Sequence, residues 1–184
     1  MLPTSVPRID HPPVVLRPFA EHDAALVASV VDDPVIPLIT TVPTTADPEA
    51  IAAYLRRQHD RLAQGVGYSF AVADAVTGEG VGQIGLWTAD LPAGRTTTGY
   101  WIAPQHRRRG YARAALAAVT SWALAHDEVA RVQLHVEPAN EASWRTAEAC
   151  GYERDGLLRS WERVGAERRD MYVYAAVRPD RTLR

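Results

Sequence analysis

Residues 95–116 read RTTTGYWIAPQHRRRGYARAAL, and the order within them decides the architecture. A β-branched and aromatic run from Thr96 to Ile102 has strand character, and Pro104 interrupts it. Three arginines, Arg107, Arg108 and Arg109, and then Gly110 follow; beyond them Ala112, Ala115, Leu116, Val119, Trp122 and Ala123 recur on one face, which predicts an amphipathic helix reaching about His126. The first turn of a helix leaves backbone amides unpaired and carries about half a positive charge. Glycine lets the backbone approach a ligand and arginines offer forked donors, so a strand, this loop and a helix make a candidate phosphate cradle. An arginine run at a helix start is equally compatible with plain solvated surface. The segment that opens this helix carries no Gly-x-Gly-x-x-Gly, and no Gly-Lys-Ser/Thr is present, which excludes the common dinucleotide and triphosphate loops there.

Working outward, VARVQLHV (129–136) alternates apolar Val132, Leu134 and Val136 with polar Arg131, Gln133 and His135, a half-buried strand. NEASWRTAEAC (140–150) is a short helix closed by Gly151, and LLRSWERV and RDMYVYAAV are two last strands about a turn at Gly165. Upstream, YSFAVADAV, GEGVGQIGLWTAD and RTTTGYWIA form a meander of three strands. Asp47-Pro48 starts a helix that ends around Gly65, and the loop before it, residues 34–48, is punctuated by proline. EHDAALVASVVDD (21–33) reads as a helix, VVLRPF as a strand, and the first dozen residues, with three prolines, as a loose lead-in. The order implies an α/β chain with a mixed sheet and helices on both faces.

The chain has 184 residues, enough for one domain and hardly for two, with 47% hydrophobic and 23% charged residues and a formal net charge of −2. That balance gives no global attraction for nucleic acid or an acidic membrane. A single cysteine, Cys150, forms no internal disulfide, the N-terminus lacks an apolar signal core, and no stretch approaches a membrane span of about 18 apolar residues. A cytoplasmic protein without nucleic-acid or membrane partners is the expectation.

Arg107-x-x-Gly110-x-Ala112, after GYWIAP and opening a helix, resembles the Gln/Arg-x-x-Gly-x-Gly/Ala motif with which GNAT-superfamily N-acetyltransferases hold the pyrophosphate of acetyl-CoA. VEPANEASWRTAEACGYERDGLLR is similar to the C-terminal signature of the branch containing the RimJ/RimL-like ribosomal-protein N-terminal acetyltransferases, with Asn140, Ser143, Gly151, Tyr152 and Gly156 at matching places. VVLRPFAEHDA resembles that branch's opening strand and helix. The resemblance implies a flexible lead-in over 1–12, a single GNAT domain over 13–178 and a tail over 179–184. It implies a mostly antiparallel sheet of about seven strands with one parallel, splayed pair. Acetyl-CoA would be the co-substrate, with no metal, and a primary amine the acceptor, either a protein or peptide N-terminus or a small molecule. A homodimer through the closing strands is compatible with the family.

The same resemblance implies the site. Free backbone groups of Ile102 and Ala103 would pair with the pantetheine arm, and Arg107, Arg108, Arg109, Gly110, Tyr111 and Ala112 would surround the pyrophosphate. Asn140 would touch the pantetheine or the loop, and Ser143 would sit near the thioester sulfur. Direct attack of an amine needs a proton acceptor, donors for the oxyanion and a proton for the thiolate. Backbone amides near Ile102 meet the second need, and Ser143 or Tyr100 the third. The glutamate frequent in related enzymes two residues before the GYW glycine is Thr97 here, so Glu137 is the candidate base, with His135, Asp90 or a water chain as alternatives. Arg108 and Ala149 also depart from the commoner pattern. Cys150 reads as packing, the six histidines have no metal-ligand spacing, and one or two of Trp87, Trp101, Trp144 and Trp161 are expected in the cleft. The rival to an enzyme is a catalytically silent module that binds CoA or acyl-CoA.

Overall fold

In the computed structural model, which describes residues 1–179, an eight-stranded sheet runs in the order β1-β2-β3-β4-β5-β6-β8-β7. Its strands are β1 (Ile9–His11), β2 (Val14–Arg17), β3 (Gly67–Asp74), β4 (Gly80–Trp87), β5 (Arg95–Ile102), β6 (Arg131–Val136), β7 (Glu153–Val164) and β8 (Glu167–Val177). Every neighbouring pair is antiparallel except β5 and β6. The strand added to the expected seven is β1, an edge strand inside the segment read as a loose lead-in. Prolines at 12 and 13 interrupt the chain only after it, and Ile9 packs against the core. The tail expected over 179–184 lies, from residue 180 on, outside the described residues.

The helices are α1 (Ala24–Ala28), α2 (Ile36–Ile39), α3 (Pro48–Ala63), α4 (Tyr111–Leu124) and α5 (Glu141–Ala149). The helix expected over 21–33 is only a short turn, Glu21–Asp23, and the single turn and a half of α1. The proline-rich loop after it holds α2, whose first amides are capped by the Asp33 carboxylate at 2.9 Å to both Val35 and Ile36. Asp47 starts α3 as its pattern predicts, accepting from the Ala50 amide at 3.0 Å.

Period-2 alternation sorts the central strands between two cores. From β3, Tyr68, Phe70 and Val72 join Leu116, Val119 and Ala123 of α4 on one face, whereas Ala71, with Trp101 and Ala103, packs with α1 and Tyr54 of α3 on the other. Both faces are covered, so β3 and β4 are buried nearly end to end. Between α3 and the sheet lies a closed polar knot. Gln83 Oε1 accepts from the Tyr54 hydroxyl and from Trp101 Nε1, both at 2.8 Å, while its Nε2 donates to Ser69 Oγ at 2.9 Å and to Gln58 Oε1 at 3.2 Å. Ser69 in turn donates to Gln58, whose own amide donates to the Tyr54 carbonyl. Each buried partner is satisfied, which lets five polar side chains sit in a core and fixes Trp101 in one rotamer.

Candidate active site

The parallel pair carries a rupture. Partners run from Arg95 with Arg131 to Thr98 with Leu134 and stop there, although β5 continues to Ile102 and β6 to Val136. The Ala103 amide donates to Val81 at 3.0 Å, so alternate residues of β5, Ala103 among them, exchange bonds with β4, and the backbone groups of Tyr100 and Ile102 point toward the missing rungs. The strands splay there, as the resemblance implied. One detail differs from expectation. Both peptide groups of Ala103 are used internally, its carbonyl accepting from the His106 amide, and the Ile102 carbonyl accepts from Arg107 Nε at 3.0 Å. Of the free groups expected at Ile102 and Ala103, only the Ile102 amide faces the gap.

Beyond β5 the chain makes a left-handed step at Arg108 (φ 61°) and another at Gly110 (φ 81°), the N-cap of α4. The two steps turn a row of amides outward: among the described residues, the N–H groups of Arg108, Arg109, Gly110, Tyr111, Ala112 and Arg113 have no protein acceptor, and the first helical bond is from Ala114 to Gly110. A Cβ placed on Gly110 would meet nothing within 4 Å, so glycine is there for its torsion and for open space above the helix mouth. Arg108 and Arg109 are exposed. Arg107 is instead a tie, with its other guanidinium nitrogen 3.0 Å from Asp33, and the Tyr111 ring turns inward to donate to Asp74 at 2.6 Å. Arg108, Arg109 and Gly110 therefore stand at the open helix mouth, whereas the side chains of Arg107 and Tyr111 are committed to structure.

On the α3 side of the sheet the rupture opens into a cavity of about 560 Å³ lined by Thr97, Gly99, Trp101, His135, Glu137, Asn140 and Ser143. Its roof is α2, and the β7–β8 hairpin closes one side, the turn at Gly165 coming within 3.9 Å of a Leu38 methyl for a Cβ built there. Ser160, in a left-handed conformation (φ 50°) and held by its amide to Asp170 at 2.7 Å, makes the bulge that brings Trp161 edge-on to His135 with ring centres 5.7 Å apart. Of the alternatives for the base, Glu137 and His135 face the cavity; Asp90 sits at the far end of β5, 3.7 Å from Arg95. Burial pushes the His135 pKa down, against a smaller opposing pull from Glu162. Thr97, in the place of the missing glutamate, also lines the wall.

Where the cavity meets the gap, the Tyr100 hydroxyl lies 3.2 Å from Ser143 Oγ. Burial raises the Tyr100 pKa, with hydrogen bonding to Ser143 working weakly the other way, so the phenol stays protonated. Asn140 caps α5, its oxygen accepting from the Ser143 amide at 3.2 Å, and this sets the serine's position. The side chain expected to touch the pantetheine or the loop thus uses its oxygen on the helix. Cys150 packs by α4 and burial pushes its thiol up, away from thiolate chemistry. Among the described residues no three His, Cys, Asp or Glu side chains gather as a metal site. Sequence reasoning missed α2, Gln83 and Arg61 as cavity walls, since each is brought there by tertiary packing and none stands in a motif.

A family model described as an acetyltransferase (GNAT) domain matches residues 14–153. An N-acetyltransferase of Bacillus licheniformis, p20, is 22% identical over 165 residues, covering 90% of this chain and 93% of the relative. Among solved structures, Mycobacterium smegmatis RimJ in complex with CoA-disulfide superposes with a TM-score of 0.77 at 23% identity, over 94% of this chain and 86% of that one. The ribosomal-protein-S5-alanine acetyltransferase of Vibrio fischeri does so with 0.76 at 16% identity, over 95% and 98%. The ruptured parallel pair, the open amides at the start of α4 and the family match agree, and the chain belongs to the GNAT acetyltransferases, enzymes that use acetyl-CoA as co-substrate.

Proposed function

We propose that this enzyme acetylates a primary amine, on a small molecule or on a protein or peptide N-terminus, by direct attack within a ternary complex. The observation that carries the reading is adjacency: six acceptor-less amides at the mouth of α4, a sheet rupture with unpaired backbone groups, and a cavity holding proton acceptors adjoin one another. The helix mouth fits a diphosphate, having both donors and room. In this reading the amides of Arg108, Arg109, Gly110, Tyr111 and Ala112 hold the diphosphate while Arg108 and Arg109 add charge. The Ile102 amide and the Tyr100 peptide hold the pantetheine arm, and Ala103 and Asn140 support these positions from behind.

Bound acetyl-CoA supplies an activated thioester; the rest falls to the chain. His135, kept neutral by burial, and Glu137 face the acceptor and take the proton that an ammonium must lose before its nitrogen can attack. Backbone N–H groups at the gap lie where charge develops on the carbonyl oxygen. As the C–N bond forms and the C–S bond breaks, the protonated Tyr100, coupled to Ser143, donates to the departing sulfur. The nitrogen's second proton restores the donor, so one proton in total leaves to solvent.

Calorimetric titration with acetyl-CoA, then thiol release across an amine panel, tests this. Binding below millimolar concentration and amine-dependent release are expected. No binding at millimolar concentration overturns the reading, and binding with no amine-dependent release identifies a silent CoA-binding module instead.

A further inference from the structure

The wall of the cavity opposite the proton acceptors carries a positive charge that no carboxylate among the described residues pairs. Arg61, in the last turn of α3, lays its guanidinium over the Trp87 ring at 4.5 Å and donates to Thr41 Oγ1 at 3.1 Å; its Nε is buried without a partner. Among the described residues no carboxylate lies within 4 Å of it or of Arg57, one helical turn earlier, which donates to the Thr41 carbonyl at 2.9 Å. Two like charges spaced by four residues repel, and burial already works against the charged form of Arg61. The helix C-terminus and the Trp87 face soften that charge and leave it unneutralised. Across the cavity stand Glu137 and Glu162, so the space is negative at one end and positive at the other.

The separation follows from register. Trp87 pairs with Thr97, and the rupture opens beyond Thr98. The Trp87 indole lies back over Gly85, where a Cβ would clash with it, and Gly85 faces Gly99, so the guanidinium on that ring stands about one strand spacing, roughly 4.8 Å, to the side of the strand that borders the rupture. A Cβ on Gly99 would meet nothing within 4 Å, so the floor between that ring and the rupture is open.

We propose that the acceptor amine carries a carboxylate, which docks on the guanidinium of Arg61 beside Thr41, while the ammonium end rests against Glu137 and Glu162. Of Arg57 and Arg61 only Arg61 lines the cavity, and one half-buried guanidinium matches one negative charge, which favours a carboxylate over a phosphate monoester with nearly two. The inference rests on the amine-acetylation reading above. The carboxylate belongs either to a free ω-amino acid or to an acidic side chain next to a peptide N-terminus, and matched acceptors separate the two.

The experiment compares kcat/KM for 6-aminohexanoate against 6-aminohexanamide, and for Ser-Glu-Ala amide against Ser-Gln-Ala amide, in the wild type and in R61Q. In one pair or the other the wild type prefers the carboxylate by about tenfold or more, and R61Q brings that ratio close to one. The pair that responds names the source. R61K, which keeps the charge and most of the packing but loses the fork, gives an intermediate ratio and carries the test should R61Q fail to fold. A wild-type ratio near one in both pairs, or a preference that survives R61Q, overturns the proposal and leaves amine acetylation standing. Absence of turnover with every amine, acetyl-CoA being bound, overturns both.

Discussion

Arg107 and Asp33 join the α4 loop to α2, the two regions proposed to hold the substrates. The arginine, at the head of the α4 loop, donates to Asp33 at 3.0 Å and holds the Ile102 carbonyl; the same carboxylate caps α2, the roof of the acceptor cavity. One side chain thus fixes both the loop and the roof. Asp33→Asn keeps the volume and loses the charge, and it should raise the Michaelis constants for acetyl-CoA and for the amine together. A stability loss of about 1–2 kcal/mol should accompany this. Two-substrate kinetics with chemical denaturation check it; a change confined to one substrate would break the proposed link.

At the helix mouth, Gly110→Ala forces an L residue to hold a φ of 81° while its methyl points into open space. The strain should cost about 1–2 kcal/mol. A bulkier Gly110→Val adds obstruction where the diphosphate is proposed to lie, so its acetyl-CoA KM should rise well beyond that of the alanine variant. Equal constants in two folded variants would move the diphosphate elsewhere.

Tyr100→Phe removes the proposed donor to sulfur and spares the phosphate cradle. Turnover should fall by about a hundredfold with a small change in acetyl-CoA KM, since general acid catalysis is worth 10² or more. Ser143→Ala should act in the same direction and more weakly. Loss of affinity without loss of turnover would make both of them binding residues.

Gln83→Leu strands the Tyr54 hydroxyl and the Trp101 indole N–H inside the core, while Gln58 and Ser69 keep their mutual bond. At about 1–3 kcal/mol for each buried group left unpaired, the total loss should be about 3–5 kcal/mol. Urea unfolding measures it, and a near-neutral result would mean that the knot relaxes or admits water.

His135 makes stability depend on pH with a definite sign. Its folded pKa lies below the ordinary 6.5 because burial disfavours the cation. Its contribution is therefore fully present above about pH 6.5 and is lost as pH falls through the lower folded value. His135→Gln should flatten the thermal midpoint against pH over that interval. Activity of the wild type should hold through pH 6.5 before falling, if the imidazole takes the ammonium's proton.

The strands, α3 and α4 were legible because each repeats a pattern over many residues: alternation in β6, a 3.6-residue stripe from Ala112 to Ala123, and the Asp47-Pro48 start. Short elements were not. β1 has three residues beside two prolines, and α2 has four and takes its cap from Asp33. Both are imposed by their neighbours. β7 begins at Glu153, before the expected Leu157, because its exposed and charged first residues carry no apolar rhythm and are held by pairing to β8.

At the site, the helix mouth was readable because glycine and arginine have local reasons to be there. The polar knot was not, since Gln58, Ser69 and Gln83 look in sequence like solvent-facing positions, and only their mutual bonds make burial tolerable. Arg107 shows the same limit: sequence gives its charge, and the fold decides that the charge goes to Asp33.

The pairing between β5 and β6 that ends at Thr98 leaves the sheet short of hydrogen bonds in its middle, where most proteins are best protected. Only water or a visiting amide chain can occupy those positions. The isolated polypeptide is in that sense an unfinished sheet, which the pantetheine arm, in the reading proposed above, would complete for the length of one catalytic cycle.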